Sequence, residues 1–383
     1  MIHASREPFR VARRPLNEEV TVLIPTHNEE TAILSKLKML LNQSYPKDLM
    51  KVLIVDSEST DRTRELVRTF QKDNPDLKIR MIMEHTRRGK PFAVTNAIER
   101  CKTDLIIISD ADIGLFDESV QRILENFADP QIGAVMGRQS IPNPESSSTT
   151  RIEASYRSIY DIIRIGESNL DSTPVFAGEF MAFRGSATKK LNPDSVADDT
   201  ALALEIRANG KRTVMDPVSF FIETSPSSFR ARLEQKKRRG IGIIQALLRR
   251  RDMLFRSAYG VFGFVVLPAE IFLHVFSPLL FFGSIGLLGY SAINAPAFHP
   301  IIEVLIPVSL IIAAVLLVSR RRGGHVPGVL LIAASFITAQ LFLLYSLIFL
   351  VYYSVSPAAM SSMLKWERIL ETRPVPTSPA DTT

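Results

Sequence analysis

The chain has 383 residues, of which 46% are hydrophobic and 22% charged, with a formal net charge of +6 and one cysteine. That cysteine, Cys101, excludes an internal disulfide framework and any CxxC metal or redox site, and it suits a domain held in a reducing compartment. The basic excess argues against nucleic acid, because ten Lys/Arg crowd into Phe229–Arg256 against only Glu234 and Asp252, beside apolar spans where such residues meet anionic lipid headgroups.

Residues 1–19 contain arginines but no apolar core of a secretory signal, so they read as an N-terminal extension, and membrane insertion is left to later segments. From Val20 onward, apolar runs alternate with helical spacing. The runs are VTVLIP at 20–25, KVLIVD at 51–56, KIRMIM at 78–83 and DLIIISDAD at 104–112; between them lie ETAILSKLKMLLNQ, TDRTRELVRTFQK and FAVTNAIERC. Strands apolar on both faces, each followed by a helix, predict a parallel sheet covered by helices, with ligands beyond the carboxyl ends of the strands. Polar residues gather at those ends: Thr26, Asn28 and Glu29, then Asp56, Ser57 and Ser59, then Asp110 and Asp112. There is no GxGxxG after the first strand and no GxxxxGK[ST] anywhere, which argues against a dinucleotide fold and a P-loop. Two carboxylates one residue apart, Asp110 and Asp112, can converge on a hard divalent cation that bridges to phosphate oxygens.

Residues 226–257 form a basic segment. Leu233, Ile241, Ile244, Leu247 and Leu248 predict an apolar stripe on a helix lying in the cytoplasmic membrane interface, with Lys236 and Lys237 as lipid anchors and a bend at Gly240 and Gly242. Beyond it the charge almost vanishes: from Ser257 to Leu364 the only charged residues are Glu270, Glu303 and Arg320 to Arg322. Within a membrane region at 258–356, three spans are expected, at about 268–291, 301–319 and 327–354, with Pro268 breaking the chain after an interfacial lead-in. The three arginines put the second loop in the cytoplasm, with the catalytic half of a multi-pass cell-membrane protein. Glu270 and His274 share a helical face near headgroups, or else line the path of a polar acceptor. Trp366 reads as an interfacial anchor, and the tail at 357–383 ends in a polar, Pro-rich stretch.

The strings TVLIPTHNEE, VLIVDSESTDRT, RRGKPFAVTNAI, LIIISDADIG, FAGEFMAFR, VADDTALALEIRANGKR and QKKRRG occur in that order. Together they resemble a membrane-bound family 2 glycosyltransferase with a GT-A fold, the group of the cellulose, chitin and hyaluronan synthases and ceramide glucosyltransferase. The likeness covers about Val20 to Gly240 and sets the α/β nucleotide-sugar domain at 20–225. It implies that Pro25, Thr26, Asn28, Glu29 and Asp56 surround the nucleobase and ribose, and that Lys90 meets the diphosphate. It also implies that Asp110 and Asp112 hold nucleotide and Mg²⁺ or Mn²⁺, that Asp199 is the catalytic base, and that Gln235 and Arg238 match the Q and R of QxxRW. Asp198, on a segment taken as extended, is expected to point away from Asp199.

The implied reaction is an inverting, metal-dependent transfer from a UDP- or GDP-sugar to a lipid or lipid-linked acceptor. Charge stabilisation on the leaving side and proton removal from the attacking hydroxyl account for the residue types. Departures from the family pattern are Ser57 and Glu58 where DDGS has Asp and Gly, one extra residue between Lys90 and Asn96, and Arg239 in place of the tryptophan. Arg239, with about three spans, favours single transfer over a processive polysaccharide synthase. A polyprenyl-phosphate sugar synthase and a nucleotide-regulated membrane scaffold stay as alternatives.

Overall fold

A computed structural model describes residues 11–140, 148–188, 195–223, 229–294 and 328–354. The four apolar runs form β1 (Val20–Thr26), β2 (Met50–Ser57), β3 (Lys78–Glu84) and β4 (Leu105–Ser109), all parallel. The intervening segments form α1 (Ile33–Leu41), α2 (Thr63–Asp73) and α3 (Lys90–Ile98). β1 and β4 are buried almost throughout, as strands covered on both faces must be.

The sheet continues beyond the run of parallel strands. After the short β5 (Gly114–Leu115) and α4 (Ser119–Glu125) come β6 (Ile132–Ser140), α5 (Ser148–Leu170), β7 (Phe180–Arg184), α6 (Asp198–Ala208) and β8 (Arg212–Ile222). The eight strands lie in the order β3-β2-β1-β4-β7-β6-β8-β5. β7 runs antiparallel between β4 and β6, and β8 is parallel to β6. Because β1 pairs with β2 on one side and β4 on the other, strand order reverses at β1, which opens a crevice at the carboxyl ends of β1 and β4.

α7 (Phe229–Arg249) is one continuous helix, which the expected interruption at Gly240 and Gly242 does not break. Both glycines are places of close approach. A Cβ on Gly240 would collide with Ser346, and one on Gly242 would lie 2.7 Å from the backbone nitrogen of Ala197. Ile241, Ile244 and Leu247 of the expected stripe are all fully buried; Leu247 packs in a cluster with Ala197, Leu204 and Val266, and Ile241 packs with Val196 and the partly buried Phe349.

The chain then enters a helix without the break foreseen at Pro268. A π-helical turn at Phe262–Val266 leads into α8 (Leu267–Ile271), and a second at Phe272–Phe276 leads into α9 (Ser277–Asn294). Pro268 and Pro278 each sit one residue into the α segment after a π turn, so the altered bonding of that turn absorbs the missing N–H and the helix runs on. With α10 (Gly328–Ser354), two helices among the described residues are long and apolar enough to cross a membrane: Phe262–Ser291 and Ser335–Tyr353. Only 17% and 22% of their most apolar windows are buried, unlike the core helices of a soluble protein. The expected span at 301–319, its arginines, residues 1–10 of the extension, Trp366 and the tail lie outside the described residues.

Glu270 and His274 point into the protein interior. Both are nearly fully buried, with His274 Nδ1 2.9 Å from the Glu270 carbonyl and 3.1 Å from its carboxylate.

Candidate active site

A cleft of about 300 Å³ lies at the carboxyl edge of the sheet. Pro25, Thr26, Glu29, Lys90, Asp110, Asp112, Asp199, Gln235 and Arg238 all line it. Asn28 and Asp56 are not among its lining residues. Asp56 is fully buried and pairs with Arg64, while the Asn28 carboxamide oxygen accepts the Thr60 N–H at 2.8 Å. Asn28 takes a left-handed φ of 55°, tolerable for Asn, and ties the loop after β1 to the loop after β2. Glu58, where the family pattern has glycine, also has a positive φ of 60°; its carboxylate accepts the Arg87 N–H at 3.0 Å. Asn96 donates to Glu84 at 3.1 Å and is not part of the cleft lining.

Lys90 opens α3 and bridges the two sides of the cleft, 2.6 Å from Asp110 Oδ1 and 3.3 Å from the Gly178 carbonyl. Burial works against its charge, but Asp110 and then Asp198 outweigh this and raise its pKa. Burial pushes the Asp110 carboxyl up to about 7, Asp112 adds to the rise, and Lys90 opposes it. An aspartate this perturbed at the end of a strand is a functional-site signal.

Among the described residues no trio of His, Cys, Asp or Glu is poised to hold a metal unaided. The orientation of Asp110 and Asp112 into the cleft nonetheless fits a hard cation that completes its shell with donor phosphates and water, as Mg²⁺ and Mn²⁺ do. Behind the pair, Lys36 on the buried face of α1 donates to Ser109 Oγ at 2.8 Å and to the Ile113 carbonyl at 3.0 Å. Its pKa falls to about 7 through burial, against the pull of Asp110 and Asp112.

Asp198 and Asp199 occupy the first turn of α6, not an extended segment, and both line the cleft. This corrects the expectation that Asp198 points away. Burial first, and the Asp198 charge second, push Asp199 up to about 6, against the pull of Arg239. Asp199 Oδ1 accepts the Thr200 N–H at 2.6 Å, and a Cβ on Gly178 would lie 3.0 Å from its carboxylate, so only glycine leaves that room.

Gln235 and Arg238 reach the cleft from one face of α7. Arg238 is cationic against burial, which lowers its pKa, and is held by Asp198, Asp199 and Asp110. Arg239 also lines the cleft, pairing with Glu179 at 3.2 Å and donating to the Phe176 carbonyl at 3.3 Å. Lys237 does not face lipid. It is buried, pairs with Glu234, and stacks 4.9 Å from the ring centre of Phe349 and 5.8 Å from that of Tyr345.

Glu223, unforeseen from the sequence, joins the cleft from the end of β8, where Gln139 donates to it at 2.6 Å. Burial, then Glu179, push it up to about 8. An acid closing the apolar run FFI is the same signal as Asp110 closing LIIIS, but with no motif around it.

Residues 21–191 match the sequence profile of Glycosyl transferase family 2. The chain carries a family 2 glycosyltransferase domain. It is 27% identical over 226 residues to the "Probable glycosyltransferase YdaM" of Bacillus subtilis, covering 57% of this chain and 54% of that protein. It is 29% identical over 133 residues to the "Beta-monoglucosyldiacylglycerol synthase" of Synechocystis sp., covering 35% of this chain and 28% of that protein. The chain thus spans about half or less of these relatives.

The glycosyltransferase fold is also that of a mannosyltransferase from Pyrobaculum calidifontis, PcManGT, solved with GDP-Man and Mn²⁺. That likeness has a TM-score of 0.74 at 25% identity and covers 93% of this chain and 92% of the other. That coverage extends well beyond the residues matched by the family profile.

Proposed function

We propose that the protein is an inverting, metal-dependent glycosyltransferase that moves one sugar from a nucleotide-sugar donor to a lipid or lipid-linked acceptor at the cytoplasmic face of a membrane. The observation that carries this reading is the meeting of Lys90, Asp110, Asp112, Asp199 and Arg238 in one cleft beside two apolar helices. The donor diphosphate lies against Lys90 and Arg238, with Asp110 and Asp112 holding the divalent ion that neutralises charge on the leaving group. Asp199, raised toward neutrality by burial, takes the proton of the attacking hydroxyl. The GDP-Man and Mn²⁺ in PcManGT make that pair the first donor and metal to try, and the diacylglycerol named for the Synechocystis relative supports a lipid acceptor. The apolar helices at Phe262–Ser291 and Ser335–Tyr353 anchor the enzyme as a multi-pass protein.

The test is nucleoside diphosphate release by the full chain in lipid, screened over GDP- and UDP-sugars with Mn²⁺. Turnover lost on adding chelator supports the reading; turnover indifferent to chelator removes the metal from it. A ladder of oligomeric products would instead identify a processive synthase.

A further inference from the structure

Lys36 is fully buried on the inner face of α1 and reaches both sides of the turn that carries Asp110 and Asp112. Its ammonium donates to Ser109 Oγ, one residue before Asp110, at 2.8 Å, and to the Ile113 carbonyl, one residue after Asp112, at 3.0 Å. An ammonium withdrawn from water is costly, and a methionine of similar length would fill the space without that cost. What methionine lacks is a donor for two acceptors at once. The two acceptors that Lys36 meets bracket Asp110, Ala111 and Asp112.

The same side of α1 supports the chain that follows the turn. Met39 shares the helical face of Lys36, and its Sδ accepts the Leu115 N–H at 3.5 Å. Gln43, just past the end of the helix, donates to the Phe116 carbonyl at 2.9 Å and accepts the Val120 N–H at 3.0 Å. From the other side of the turn, the Asp110 N–H donates to the Glu179 carbonyl at 3.0 Å. Within this set Lys36 alone bonds to both ends of the turn.

We infer that Lys36 is a positioning residue for the divalent cation, tying together the two ends of the Asp110–Asp112 turn so that both carboxylates face the cleft before the ion arrives. Two like charges one residue apart repel, and a turn free to open would let them part. Ligands held in place bind without the cost of ordering them at the moment of binding. The role is geometric. Charge acting by itself would do the reverse, because a cation behind the pair repels an arriving divalent ion. This role rests on the metal-dependent glycosyl-transfer reading and adds to it the side chain that prepares the ion's place.

The experiment follows Mn²⁺ binding by electron paramagnetic resonance, using the full chain in phosphatidylcholine nanodiscs with GDP and, in parallel, UDP, and counts binding per folded molecule. The unaltered chain should hold an ion that Asp112→Ala abolishes. Lys36→Met should weaken Mn²⁺ binding about tenfold, the scale of the lost hydrogen bonds, and saturating Mn²⁺ should restore most of its turnover, which a damaged fold would not allow. Ser109→Ala keeps the lysine and removes one acceptor, so it should weaken binding by a smaller factor, and it decides the matter if Lys36→Met fails to fold. Lys38→Met, on the same helix but exposed, should stay within about twofold. Tighter binding in Lys36→Met would show that the lysine acts through its charge, and unchanged binding in both Lys36→Met and Ser109→Ala would show that it only fills the core; either result overturns the inference. An unaltered chain without an ion that depends on Asp112 would overturn the metal-dependent reading as well, whereas an intact ion site indifferent to Lys36 and Ser109 removes this inference alone.

Discussion

Gly242 of α7 lies so close to Ala197 that a β-carbon on it would sit 2.7 Å from the Ala197 nitrogen. Ala197 precedes Asp198 and Asp199, so the helix beside α10 sets the position of the proposed base through backbone contact, with no side chain between them. Gly242→Ala must push that segment away. A displacement near 1 Å costs on the order of 10²-fold in rate, and overpacking costs ~1–3 kcal/mol of stability. The expected outcome is a fall in kcat of at least tenfold with donor KM little changed. Gly283→Ala, where an added methyl meets nothing within 4 Å, serves as the neutral control.

The two perturbed acids of the cleft should separate by isosteric substitution. Asp199, at about 6, is ionised at neutral pH, whereas Glu223, at about 8, is protonated. Asp199→Asn should lose roughly 10²–10⁴ of kcat, while Glu223→Gln keeps activity within a factor of about three at pH 7. In the unaltered enzyme kcat/KM should fall about tenfold per pH unit below pH about 6, as the base becomes protonated. A flat profile from pH 5 to 8 would exclude Asp199 as the base.

Asp112→Ala should abolish chelator-sensitive turnover without unfolding the domain, since a carboxylate aimed at a cation contributes no packing. Melting temperature within a few degrees of the parent, together with loss of Mn²⁺-dependent product, is the expected pair of readings. A variant that melts early yet retains turnover per folded molecule would place the ion elsewhere.

Lys36 gives a stability prediction with a definite sign. Its folded-state pKa of about 7 lies below the ordinary value of 10.5, so between those pH values the unfolded chain binds a proton that the folded chain does not. Stability therefore rises with pH across this window. Lys36→Met removes the titration, so the advantage of the parent over this variant should grow from pH 7 to pH 10 in thermal melts. A constant difference would mean that the buried amine does not titrate there.

The first four strands and their helices were legible because a strand buried on both faces is apolar at every position, as in LIIIS, and because the intervening helices keep their own spacing. β7, β6 and β8 were not, since their pairing joins residues far apart in sequence, and nothing in FMAFR says that it runs antiparallel between β4 and β6. Lys36 was open to detection: it falls on the same helical face as Ile33, Leu37 and Leu40, a single cation in an apolar stripe. The glycines of α7 were misread because a glycine in a helix looks like a weak point when its neighbours are unknown. With Ser346 and Ala197 in place, each is the only residue that fits. The shared orientation of Asp198 and Asp199 was hidden for the opposite reason, because one helical turn changes which way adjacent side chains face.

The contact between α7 and α10 fixes an order of events during synthesis. Ser346 bonds to the Lys237 carbonyl from 109 residues further along the chain, and Tyr345 and Phe349 cover the Lys237 ammonium. The ribosome therefore releases the whole sheet, with Asp110, Asp112 and Asp199, well before the helix that braces α7 exists. A nascent chain holds its acids but lacks the support that seats Gln235 and Arg238 over them. A newly made chain is therefore expected to stay idle until the helix at Gly328–Ser354 has packed against α7.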